Sequence, residues 1–70
     1  MNAFLDRISE ILETPVSLDT VFRDTPDYSS LKGFGILVVL ENDYGREMNV
    51  DEFLTMNTVA DLAAAAGVSK

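Results

Sequence analysis

Two adjacent hydroxyls, Ser29 and Ser30, stand at the head of the most apolar stretch of the sequence, Asp27 to Tyr44, and are the side chains best placed to do chemistry. A serine becomes a nucleophile only when a neighbouring base takes its proton, and the usual base is histidine. The chain contains no histidine and no cysteine. That removes a Ser-His pair, a thiolate nucleophile, cysteine-ligated metals and disulfides. No acid-base constellation replaces them, so an autonomous enzyme is not expected. The serine is read instead as a functional group at the mouth of a helix.

That helix is marked at both ends. Pro26 and Asp27 break the chain, Ser29 is a capping residue type, and Gly45 follows the last periodic position. At about 100° per residue, with Ser30 at zero, Ile36, Leu37, Leu40 and Tyr44 fall between roughly 240° and 340°, a stripe that should face a core. Leu31, Phe34 and Val38 fall between roughly 40° and 100°, beside Ser30. A one-sided helix does not need this second stripe, which is either an ordinary consequence of a small fold, buried by packing on most sides or left as scattered exposed apolar side chains, or an apolar docking patch around the serine. Gly33 lies on the core side, where a missing side chain lets another element approach. Gly35 lies on the outer side, where it clears room for a partner or has no role.

The elements that position this helix follow from periodicity. Phe4, Leu5, Ile8, Ile11 and Leu12 recur at helical spacing from Asn2 to Glu13, and Thr14-Pro15 ends that first helix. Val16 to Tyr28 reads as a long ordered loop pinned by Val16, Leu18, Val21 and Phe22, with a turn of helix between Ser17 and Phe22. Val50 to Leu54 suits one short helix with Phe53 and Leu54 inward. Thr58-Val59-Ala60-Asp61 has capping-box spacing ahead of Leu62, Ala63 and Ala66, and Gly67 supplies the stop, with Val68 to Lys70 fraying. The expected architecture is all-α: three main helices plus one short helix in a small four-helix bundle, a single domain over residues 1–70, with no strand.

Composition bounds the partners. Twelve acids against five bases give a net charge of −7, which opposes nucleic-acid backbones and favours partners with basic surfaces. Glu41, Asp43, Glu47, Asp51 and Glu52 cluster around Arg46, as a solvated face or a recognition patch. The N-terminus lacks the basic and long apolar regions of a signal peptide, and the run Ile36 to Leu40 is too short to cross a bilayer. A cytoplasmic monomer without membrane insertion is the expectation. Gly33-Phe34-Gly35 begins like a dinucleotide motif, but Val38 holds the third glycine position and no strand precedes it.

A small, acidic, cysteine-free helical chain with Ser29-Ser30-Leu31 opening its second helix resembles an acyl carrier protein. Glu41-Asn42-Asp43-Tyr44-Gly45 resembles that family's helix end at the right distance, and Met56-Asn57-Thr58-Val59-Ala60-Asp61-Leu62 resembles the start of its last helix. The resemblance covers nearly the whole chain. It implies that Ser30 carries 4′-phosphopantetheine, derived from coenzyme A, and that Leu31, Phe34, Val38 and Glu41 meet partner enzymes. It further implies a non-catalytic carrier in fatty acid, lipid or specialised acyl synthesis, served by a phosphopantetheinyl transferase and by loading ligases, synthases or transferases with basic docking surfaces. The other reading is an unmodified carrier-fold module that binds proteins through the same patch.

Departures from the family pattern are specific. Ser29 replaces the motif aspartate, and Lys32 and Gly35 stand where the family commonly presents acids. The resemblance then points to a carrier with dedicated partners. If the cargo is apolar, the space between the second and last helices, bordered by Ile36 and by the small residues Ala63 to Ala66, is where it is expected; the same residues equally suit a plain, tightly packed alanine face.

Overall fold

In the computed structural model, residues 2–68 are described. The element order is α1 (Asn2–Leu12), a 3-10 turn (Phe22–Asp24), α2 (Ser30–Tyr44), α3 (Val50–Phe53) and α4 (Val59–Ala66). Three main helices and one short helix make up the expected all-α bundle, and no strand occurs among the described residues. Phe4, Ile8 and Leu12 of α1 meet Ile36 and Leu40 of α2, Phe22, Phe53, and Val59, Leu62 and Ala63 of α4 in one buried cluster. Tyr44 closes one end, edge-on to Phe4 with ring centroids 5.4 Å apart.

Helix boundaries follow local chemistry. The first helix ends at Leu12 because Glu13 turns into the left-handed region, with φ of 59°, and the Thr14 N–H reaches back to the Ser9 carbonyl. Chain reversal thus begins before Thr14-Pro15. Gly45 ends α2 with φ of 67°, and its N–H donates to the Glu41 and Leu40 carbonyls. The capping box of α4 is formed in full: the Thr58 hydroxyl accepts from the Asp61 N–H, and the Asp61 carboxylate accepts from the N–H groups of Thr58 and Asn57. Those donors hold the Asp61 carboxyl below its ordinary range, the Asn57 N–H contributing most.

The long loop owes its order to backbone pairing as well as to apolar anchors. A single antiparallel bridge joins Val21 to Thr58; Phe22 N–H donates to the Asn57 carbonyl and Val59 N–H to the Thr20 carbonyl. Phe22 and the half-buried Val16 and Leu18 anchor the loop, but Val21 is exposed. The helical turn expected between Ser17 and Phe22 falls at Phe22–Asp24 instead, because Ser17 to Thr20 closes as a hydrogen-bonded turn through the Ser17 carbonyl and the Thr20 hydroxyl. Leu54 points outward, 60% exposed, since α3 is one turn long and only Phe53 faces the core. Val68 is held by a hydrogen bond from its N–H to the Ala63 carbonyl rather than frayed; the expectation for residues 69–70 lies outside the described residues.

Candidate functional site

Ser30 is the first residue of α2, and Ser29 precedes it in extended conformation. Ser29 occupies the capping position, yet its side chain makes no capping hydrogen bond, and the first turn of α2 carries no acid. Both serines are exposed. They differ in surroundings: Ser30 lines an apolar groove of about 410 Å³, together with Arg23, Tyr28, Gly33, Phe34, Leu37, Val50, Phe53 and Leu54, and Ser29 is not part of that wall.

The second stripe of α2 is open to solvent. Leu31 is 79% and Phe34 63% exposed, with Val38 beside them and Glu41, also exposed, at the far end of the same face. The sequence alternative in which the helix is buried on most sides is excluded at these positions. The core stripe is wider than expected and includes Val39, which is buried.

Lys32 and Gly35 do not form part of the exposed face. The Lys32 ammonium donates to the Leu12 carbonyl at 3.3 Å and the Pro26 carbonyl at 3.4 Å, and pairs with Glu13 at 3.4 Å. A cation in the first turn of a helix opposes the macrodipole. Here the long side chain carries the charge away to the carbonyl end of α1, where it is favourable. It also ties the turn before Ser30 to α1. Gly35, expected on the outer side, faces α1, where an added Cβ would lie 3.3 Å from Ile11 Cγ2.

The wall of the groove depends on Arg23, a residue whose role has no local sequence signal. Its guanidinium donates to the carbonyls of Met56 and Phe53, the latter at 2.9 Å, and lies 4.7 Å from the Phe22 ring centroid and 5.4 Å from that of Phe53. Those bonds fasten the end of α3 to the loop. Tyr28 stands against Phe22, and burial pushes its phenol pKa up, with the Arg23 charge opposing. The groove therefore lies between α2 and α3, not between α2 and the alanine face of α4. Ala63, at the start of the expected cargo space, is buried in the packed core together with Ile36.

Charge is distributed unevenly. Arg7 pairs with Asp43 and Glu10, Arg46 with Glu52, and Lys32 with Glu13, while Arg23 turns toward backbone carbonyls. The acid surplus is thus left largely uncompensated at the surface. No helix among the described residues is long and apolar enough to cross a membrane.

Together these features define an acyl-carrier-like helical bundle with an exposed serine at the lip of an apolar groove. A family model described as the phosphopantetheine attachment site matches residues 2–66, which take in all four helices. The chain belongs to this family of carriers, whose members bear 4′-phosphopantetheine covalently on a serine. Such domains are generally non-catalytic and work with a phosphopantetheinyl transferase and acyl-handling enzymes. Comparisons with curated proteins and with solved structures gave no match.

Proposed function

We propose that Ser30 is the attachment point of the arm and that the chain, as one monomeric domain, presents acyl or aminoacyl groups to partner enzymes of fatty acid, lipid or specialised acyl synthesis. The observation that carries this reading is the exposed Ser30 on the rim of an apolar groove at the start of α2. The residues present fit the group: an unobstructed hydroxyl, a helix start without acids to repel a phosphate, and an apolar wall alongside. When bound, the arm supplies the thiol this cysteine-free chain lacks and holds an acyl group as a thioester.

The chain's own residues do the rest. Ser30 offers its Oγ without activation, because the modifying transferase brings the chemistry. Lys32 holds the turn that precedes Ser30 against α1. Leu31, Phe34 and Val38 give partners an apolar footing near the arm, and Glu41 starts the acidic end of that face. With Lys32 and Gly35 turned to α1, the footing formed by Leu31, Phe34 and Val38 carries no charge of its own. A matching partner has an apolar patch facing Ser30 and basic residues farther along α2, a pattern suited to dedicated loading enzymes.

Incubation with coenzyme A and a phosphopantetheinyl transferase, followed by intact mass, tests the reading. The parent gains one phosphopantetheinyl group and Ser30→Ala gains none. The strong exposure of Leu31 and Phe34 favours a second reading, an unmodified module that binds proteins through that patch. No gain with any transferase from the source organism, alongside partner binding unchanged in Ser30→Ala, selects the second.

A further inference from the structure

The groove beside Ser30 is not blind. A second groove of about 410 Å³, lined by Phe34, Leu37, Val38, Glu41, Met48, Asn49 and Val50, shares Phe34, Leu37 and Val50 with the first. The two form one trench between α2 and the segment leading into α3, running from Ser30 toward Glu41. At the Ser30 end the groove is lined by Gly33, which is buried. A Cβ there would meet the Tyr28 hydroxyl at 2.6 Å and Phe53 Cε2 at 3.3 Å, so these two side chains occupy the space that the glycine leaves. Behind them the Phe22 ring is fully buried, 6.1 Å from the Tyr28 ring and 5.4 Å from that of Phe53, between centroids.

We propose that Tyr28 is a specificity-determining residue that closes the inward route over Gly33 and directs an apolar cargo attached at Ser30 along the outer trench. This rests on the carrier reading of Ser30. Three aromatic rings fill the interior end, and a rigid ring with two rotatable bonds is displaced by a flexible chain only at the loss of that packing. The trench wall, with Leu37, Val50 and Leu54, remains open and apolar. Cargo then lies where partners that grip Phe34 and Val38 touch it, and a branched or polar group is accommodated as readily as a straight chain because the trench faces solvent. Gly33 and Tyr28 act as a pair: any side chain at position 33 evicts the hydroxyl.

The chain has no cysteine. Ser30→Cys treated with octyl methanethiosulfonate therefore places an alkyl chain at the mouth without any transferase, and the methyl reagent supplies the control. Failure of phosphopantetheine attachment would count against the carrier reading and leave this measurement unaffected. Methyl NMR of the octyl adduct is expected to show shifts at Leu37, Val50 and Leu54 and none at Ile36, Val59 and Leu62. Adding Tyr28→Ala, or Tyr28→Leu where the alanine variant does not fold, brings the shifts to the inner methyls and the Phe22 ring. Tyr28→Phe retains the parental pattern. Inner methyls that shift with Tyr28 intact, or shifts confined to the trench after Tyr28 is truncated, overturn the proposal.

Discussion

Replacing Arg23 with alanine removes the fork that fastens α3 to the loop, and its effect can be worked from the contacts. Hydrogen bonds to charged groups contribute about 1.5–3 kcal/mol each, and a guanidinium over an aromatic ring about 0.5–1 kcal/mol. Arg23 is half-buried, which places its two carbonyl bonds toward the lower end of that range. The expected loss is about 3–4 kcal/mol. A chain of 70 residues has roughly 4–10 kcal/mol in total at the usual stability per residue, so this one side chain supports a large share of the fold. Lysine at 23 retains the charge but cannot bridge two carbonyls with a planar fork, and should recover less than half of the loss. Urea denaturation gives the magnitude, and amide exchange gives the location. Helix α3 spans four residues and cannot persist alone; the amides of Phe53 and Leu54, bonded to the Asn49 and Val50 carbonyls, should exchange much faster in Arg23→Ala than the α4 amides do. A loss below about 0.5 kcal/mol, the range of inert surface changes, with α3 exchange unaltered, refutes the role given to Arg23.

The Asp61 carboxyl titrates below its ordinary range, so the unfolded chain binds its proton more readily. Its contribution is present above the unfolded value of about 4 and is lost as pH falls through the lower folded value. The gap in urea midpoint between the parent and Asp61→Asn should accordingly be wide at neutral pH and narrow at strongly acidic pH; a constant gap contradicts the assignment. For Gly33→Ala, helix propensity offers about 1 kcal/mol, offset in the parent by displacement of Tyr28 but not in Tyr28→Ala. The double-mutant cycle should therefore show a coupling of about 1 kcal/mol, and additivity within about 0.3 kcal/mol rejects the contact. Phe34→Asp should leave the urea midpoint nearly unchanged, because the ring is 63% exposed, while lowering kcat/KM of the loading enzyme at least tenfold; a stability loss above about 1 kcal/mol would place Phe34 in the core instead.

Local signals in the sequence account for most of the helices. A capping box and a glycine stop bracket α4, Gly45 ends α2, and the apolar spacing of α1 and the second stripe of Leu31, Phe34 and Val38 follow from a helical wheel, whereas the exposure of that stripe does not. What was not legible depends on contacts distant in sequence. The buried arc of α2 extends roughly from 140° to 340°, since α1 and α4 both pack on it, and so it takes in Gly35, Lys32 and Val39 as well as the expected stripe. A lysine there looks solvated until its ammonium is seen at the carbonyl end of α1. Arg23 carries no signal because its partners, the Phe53 and Met56 carbonyls, lie 30 and 33 residues away. The groove was expected against the alanines of α4, but small side chains let α4 close onto the core, while the single-turn α3, with Val50 and Leu54 outward, leaves the space open.

The account turns on which hydroxyl carries the arm. Ser29 and Ser30 are adjacent and both exposed, and only Ser30 borders the groove. Tandem mass spectrometry of the peptide spanning Asp27 to Lys32, after reaction with coenzyme A and transferase, locates the group directly. The account predicts phosphopantetheine on Ser30, unchanged in Ser29→Ala and absent in Ser30→Ala; an arm on Ser29, or one that persists in Ser30→Ala, would contradict it.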